Sequence, residues 1–240
     1  MDTNEEQKLS GGQNTDVIRI GNTVHRPVGP NSDYVHKTLT LLEEKDYKYS
    51  PRYLGIDDKG REILSYIDGE MGRSIEWTDS QLMIAMKMLR DFHNATAGSE
   101  LCNGQEVVCH RDIAPWNTVL QNNIPIAFID FDGVEPGSRI EDIAYALWTF
   151  LELGNPEIGI QTQTKRIKMM CDAYGFNDGK SLVNAIIVEQ NRVLEIRKSM
   201  AISGKDSEIQ EFSKDRVKVI ENEIKWVGKY EEEIESIFQT

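Results

Sequence analysis

Val107-Val-Cys-His-Arg-Asp-Ile-Ala-Pro-Trp-Asn-Thr-Val-Leu120 and, a short way on, Ile126-Ala-Phe-Ile-Asp-Phe-Asp-Gly133 decide how the rest of the chain is read. The apolar runs Val107-Val-Cys109 and Ile124-Pro-Ile-Ala-Phe-Ile129 have the length of brief buried strands. Each leads into side chains that carry hard oxygens: Asp112 and Asn117 after the first, Asp130 after the second. Pro115 stiffens the first loop, and the flanking strands are expected to hold the two loop tips face to face around one cation. A phosphoryl group in transfer spreads negative charge over its oxygens, so its catalysis rests on positioning and on cations bound by rigidly held oxygen ligands. Singly, Asp112 and Asn117 are ordinary turn residues and Asp130 an ordinary strand-end cap. Their order and spacing carry the reading, with Asn117 five residues after Asp112 and Asp130 thirteen after Asn117.

H-R-D-x4-N followed by D-F-D-G is also the pattern of the catalytic and metal loops of protein kinases. There the first Asp accepts the proton of the substrate hydroxyl, and the Asn and the later Asp bind magnesium. On that pattern Asp112 is catalytic and Asn117 and Asp130 are magnesium ligands. At these residues the chain resembles the aminoglycoside phosphotransferase and choline kinase-like enzymes, which share the protein-kinase fold. Further segments carry the same resemblance. Ser10-Gly-Gly-Gln-Asn14 is similar to that family's shortened nucleotide loop, which implies phosphate contacts from Ser10, Gly11 and Gly12. Val24-His-Arg-Pro27 resembles its third strand, with Arg26 where a lysine usually reaches the phosphates. Leu64-Ser-Tyr-Ile67 resembles the hinge that receives the base, which implies nucleotide contacts at Ser65, Tyr66 and Ile67. Glu141-Asp-Ile-Ala144 resembles a segment whose Asp142 braces the catalytic loop, and His110 is expected to support that loop as well. The resemblance implies magnesium, ATP or GTP as co-substrate, and transfer to a hydroxyl group.

Two departures matter. The helix position that usually supplies a glutamate partner to the phosphate-binding lysine falls near Val35-His36, so the usual ion pair is missing or replaced. Only eight residues separate Gly133 from Asp142, no A-P-E follows, and residue 114 is Ala where protein serine kinases commonly carry lysine. The short segment and Ala114 favour a small-molecule acceptor over a protein. The alternative is a non-catalytic binding, immunity or regulatory protein on a kinase fold, motivated by the abbreviated first lobe and the missing lysine and glutamate.

Around this centre the chain reads as α+β, a protein-kinase-like two-lobe fold with a small antiparallel β-sheet lobe containing one helix and a mainly helical second lobe. Val17-Ile-Arg-Ile20 and Thr23-Val-His-Arg-Pro27 flank the turn pair Gly21-Asn22 and predict a hairpin. Ser32 is expected to cap a helix to about Lys45, and strand-like runs follow at Arg52 to Ile56 and Glu62 to Ile67, giving four strands and one helix. Asp68-Gly-Glu-Met-Gly72 is the candidate linker between lobes 1–68 and 69–240. Thr78-Asp-Ser-Gln81 predicts a capping box opening a helix with Leu82, Ala85, Met86, Leu89 and Phe92 on one face. Further helices are expected over 140–153, 157–174, 179–202 and 207–238, the second of these opened by Asn155-Pro156. In the last, Ile209, Phe212, Val217, Ile220, Ile224, Val227 and Ile234 form one apolar side.

Composition narrows the class of function. The 240 residues are 39% apolar and 28% charged, as in ordinary globular domains. No stretch is apolar enough for a membrane span, and Met1 to Lys8 is polar and acidic. Cys102, Cys109 and Cys171 form no C-x-x-C pair, so neither zinc site nor disulfide framework is expected and a cytoplasmic home is the simplest. Forty acids against 27 bases give a net charge of -13, which disfavours nucleic acid and anionic membranes and suits a cationic small molecule. His25, His36 and His93 lack zinc-like spacing. Trp116, beside Asn117, is placed either to line an acceptor site or to pack the loop.

Overall fold

The structure is a computed structural model that describes residues 6–9, 17–204 and 206–239. The hairpin around Gly21-Asn22 forms as expected: β2 (Ile18–Ile20) pairs antiparallel with β3 (Thr23–Pro27), with Gly21 at φ 57° in the turn. Among the described residues the sheet has five strands where four were expected. Glu6–Lys8 adds β1 at the edge, and with β4 (Tyr53–Ile56) and β5 (Arg61–Ser65) the order is β1-β2-β3-β5-β4. β1 escapes a search for apolar alternation because its three side chains are all exposed and it joins the sheet through its backbone.

Helix α1 (Ser32–Glu44) buries Val35, Leu39 and Leu42. Ser32 does not cap it. Its hydroxyl accepts instead from the Gly29 N–H at 2.8 Å, and the cap position belongs to Asn31. The stretch expected to link the lobes forms the short strand β6 (Glu70–Met71), which pairs with β8 (Thr118–Gln121) and through it with β9 (Ile124–Phe128). Glycine is required beside it: a Cβ on Gly69 would lie 2.4 Å from the Leu120 carbonyl oxygen. The strand β7 (Val107–Cys109) pairs with β10 (Glu135–Gly137).

The capping box is reciprocal: the Thr78 N–H donates to Gln81 Oε1 at 2.8 Å and the Gln81 N–H to Thr78 Oγ1 at 3.3 Å, opening α2 (Asp79–Thr96). Contacts group the chain into two units, Met1–Glu76 with Met88–Ser138, and Trp77–Lys87 with Arg139–Thr240. In the first, Val35, Leu39, Leu64, Phe92, Val108, Ile113, Phe128 and Phe131 are buried. The second is helical: α3 (Arg139–Phe150), α4 (Ile160–Tyr174), α5 (Gly179–Ser203), α6 (Ser207–Lys229) and α7 (Glu231–Ser236). α5 packs along α6 and against α3, and Ser213, Ile220 and Val227 recur at seven-residue steps on the buried face of α6.

Three expectations are corrected here. Asn155-Pro156 does not open α4; Asn155 Oδ1 accepts from the Glu157 N–H at 2.9 Å in a turn, and α4 begins at Ile160. The last helix is two, broken at Tyr230. Phe212 is 46% exposed, with the Arg197 guanidinium over its ring at 5.4 Å. No helix among the described residues is long and apolar enough to cross a membrane. Because Gly69 sits against backbone that cannot yield cheaply, Gly69→Ala is expected to lower stability by about 1–3 kcal/mol in urea unfolding.

Candidate active site

Strand β7 ends at Cys109 and the chain turns sharply, with Arg111 at φ 70°. A left-handed backbone at a non-glycine residue is uncommon and marks a position held by its surroundings. Here the hold comes from packing and an ion pair. The His110 ring is fully buried, 4.5 Å from Phe131 and 6.3 Å from Phe128 between ring centroids. Arg111 Nε meets Glu135 Oε1 at 2.6 Å. Pro115–Asn117 then forms one 3-10 turn, closed by the Asn117 N–H on the Ala114 carbonyl, and Thr118 Oγ1 donates to the same carbonyl at 2.8 Å.

This turn returns Asn117 to Asp112. Asn117 Nδ2 donates to Asp112 Oδ2 at 2.7 Å and to the Asp112 carbonyl at 3.0 Å. The amide nitrogen is thereby committed inward, and the carboxamide oxygen is the atom left to meet a cation. The Trp116 indole N–H reaches the same Asp112 Oδ2 at 3.5 Å. The Ile129 N–H donates to the Asn117 carbonyl at 2.9 Å, so the residue before Asp130 is fastened to the residue expected to share its metal. Asp130 itself has φ 64°. Gly133 completes the approach, since a Cβ there would stand 3.3 Å from the His110 carbonyl oxygen. The structure therefore brings Asp112, Asn117 and Asp130 together.

The charge at this site is negative and under-compensated. Partial desolvation, with Asp132 and then Asp112 nearby, raises the pKa of Asp130, while Arg26 pulls the other way. Two hard oxygen donors on fixed backbone, with concentrated negative charge, fit a divalent cation such as magnesium.

Arg26 supplies the positive charge. Its Nη2 lies 2.5 Å from Asp132 Oδ1 and its Nη1 3.8 Å from Asp130 Oδ1. Its Nε donates to Glu62 Oε1 at 2.6 Å, and His36 Nε2 donates to Glu62 Oε2 at 2.6 Å. The ion pair expected to be missing or replaced is replaced, by a carboxylate from a strand. Burial works against the guanidinium's charge, but Asp132, Glu62 and Asp130 together raise its pKa. Asn31 Nδ2 donates to the carbonyls of Asp132 and Val134 at 3.1 and 3.0 Å, tying the start of α1 to the same loop.

Sequence reasoning missed Glu62, Asp132 and Asn31. For Glu62 the signal lies in strand register, since Arg26 and Glu62 are direct cross-strand partners. Of the expected nucleotide contacts, Ser10, Gly11 and Gly12 lie outside the described residues. Ser65 closes β5 with its hydroxyl accepting from the Arg52 N–H at 2.8 Å; the Tyr66 N–H donates to the Asn22 carbonyl, and its ring lies under Arg19 at 3.7 Å. Ile67 follows, half-buried, and Asp142 is buried in the first turn of α3.

A family model described as the phosphotransferase enzyme family matches residues 36–176. Among curated proteins, the trifolitoxin immunity protein of Rhizobium leguminosarum bv. trifolii is 32% identical over 197 residues, which is 72% of this chain and 76% of that protein. Solved structures share the protein-kinase-like fold. A Plasmodium vivax ethanolamine kinase is 13% identical with a TM-score of 0.69, over 91% of this chain and 82% of that one. A choline/ethanolamine kinase family protein from Mesorhizobium loti is 12% identical with a TM-score of 0.61, over 94% and 92%. An aminoglycoside 2'-phosphotransferase solved with GDP is 15% identical with a TM-score of 0.63, over 93% of each chain.

Asn31→Ala removes two side-chain bonds to the Asp132–Val134 loop and is expected to destabilise the protein by about 1–2 kcal/mol, read from the urea midpoint at unchanged slope.

Proposed function

The chain belongs to the phosphotransferase enzyme family, and on that premise we propose that it moves the terminal phosphoryl group of ATP or GTP onto a hydroxyl of a small molecule. The observation that carries the reading is the locked trio: Asp112 and Asn117 joined at 2.7 Å, with Asp130 fastened behind them through Ile129. Asp112 orients the acceptor hydroxyl and takes its proton, its Oδ2 fixed by Asn117 and Trp116 so that the carboxylate does not rotate away. Asn117 and Asp130 hold magnesium, which when bound neutralises the phosphate oxygens. Arg26 faces the phosphates, with Ser10, Gly11 and Gly12 as backbone contacts and Ser65, Tyr66 and Ile67 at the base. His110 and Asp142 support the catalytic loop. Residues 1–68 serve the nucleotide and 69–240 the catalytic loop and acceptor, in the cytoplasm.

A small acceptor is supported by the segment after Gly133, where Glu135–Gly137 is tied to β7 as a strand. The net charge of -13 suits a cationic acceptor. Proteins of this fold named for ethanolamine, choline/ethanolamine and aminoglycosides point the same way, to an amine-bearing alcohol. A second reading, a non-catalytic immunity or regulatory protein, is favoured by the name of the curated relative. Thermal-shift titration separates the two. Magnesium with ATP or GTP is expected to stabilise the wild-type protein, and Asp130→Ala to lose that response. No stabilisation at any nucleotide concentration would overturn the catalytic reading in favour of the second.

A further inference from the structure

Glu62 is 1% exposed and both of its oxygens are engaged, Oε1 by Arg26 and Oε2 by His36. A carboxylate buried on this scale is costly unless paired, and at 1% exposure Glu62 has no surface to offer a ligand directly. It can act on a ligand only through its partners. One of them, Arg26, presents the other edge of its guanidinium to Asp132 and Asp130. The hold is directional: a guanidinium gripped at Nε by a fixed carboxylate leaves its Nη edge aimed along one line, and that edge is the one that matches phosphate oxygens in a planar fork.

The grip has a second link. The His36 ring, bonded to Glu62, lies flat on Tyr53 with centroids 3.8 Å apart and planes 12° from parallel. Glu62 belongs to β5, Arg26 to β3 and His36 to α1, so three elements of the first unit meet at one carboxylate, and Tyr53 of β4 joins them through His36. β3 and β5 are inner strands of the sheet with Arg26 and Glu62 in direct register, paired on both sides by backbone hydrogen bonds. α1 is anchored to the metal loop by Asn31 and to Glu62 by His36.

We propose that Glu62, braced by His36 on Tyr53, is a positioning residue that aims Arg26 at the nucleotide's phosphates, and that α1 is coupled to nucleotide affinity through His36. The inference rests on the nucleotide-binding reading above. Its effect is on nucleotide binding, since the side-chain bonds of Glu62 lead to Arg26 and His36 and the ring of His36 meets Glu62 and Tyr53.

The test is a thermodynamic cycle on the full-length protein, with nucleotide dissociation constants for magnesium-ATP read by calorimetry. Glu62→Gln keeps the shape and removes the charge that orients Arg26, and is expected to weaken nucleotide binding about 10-fold, within the range seen when residues behind a ligating group are removed. His36→Gln is expected to weaken it about 3-fold, since Glu62 still holds Arg26 at Nε. In an Arg26→Gln background, both substitutions are expected to add less than about 2-fold, because the side chain they aim is gone. Glu62→Asp, which keeps the charge on a shorter stem, is expected to bind between wild type and Glu62→Gln, and serves as the second variant if Glu62→Gln does not fold. Full additivity of Glu62→Gln and Arg26→Gln, or unaltered binding in Glu62→Gln or Glu62→Asp, would overturn the proposal while leaving the nucleotide reading intact. A wild-type protein that binds no nucleotide would instead remove that reading, and the proposal with it.

Discussion

The backbone hydrogen bond from the Ile129 N–H to the Asn117 carbonyl, 2.9 Å long, is the contact on which the site depends. It continues the pairing of β8 with β9 to their last possible rung, so that Asp130 leaves the sheet directly beside Asn117. Two distant stretches thus meet at a fixed separation with no side chain spent on the task. Asp130, at φ 64°, lies immediately outside this rung, and Arg111, at φ 70°, opens the loop that leads to Asn117. Each such residue costs on the order of 1–3 kcal/mol, which buried His110 among its aromatic neighbours and the surrounding ladders must offset.

Around the rung the electrostatics follow from geometry. Asp112, Asp130 and Asp132 concentrate negative charge on one side, and Arg26 from β3 answers part of it. What remains is negative charge that a divalent cation would balance. Several of the charged side chains are themselves held: Asp112 by Asn117, Arg26 by Glu62, Glu62 by His36.

Much of this was legible in the sequence wherever the determinants are local. The Gly21-Asn22 turn, the Thr78–Gln81 capping box and the extent of α1 depend on neighbours within a few residues, and they stand almost where they were expected. The grouping of Asp112, Asn117 and Asp130 was legible because its spacing is set by one 3-10 turn and the β8–β9 hairpin. Glu62 was not, because its partnership with Arg26 exists only once β3 pairs with β5, across 36 residues. Neither Asn31 nor Ser32 caps α1 with its side chain, because Asn31 donates to carbonyls of the Asp132–Val134 loop and Ser32 accepts from Gly29. The break at Tyr230 and the late start of α4 went unseen because the apolar spacing runs on regardless of turns.

The central claim is that this constellation transfers phosphate with Asp112 receiving the acceptor's proton. It is tested most directly by following label from γ-radiolabelled ATP or GTP into a panel of amine-bearing alcohols, in wild type and Asp112→Asn. The account predicts transfer to at least one of them, falling by about 10²–10⁴-fold in the variant with nucleotide affinity kept. Equal transfer by the two proteins would contradict it.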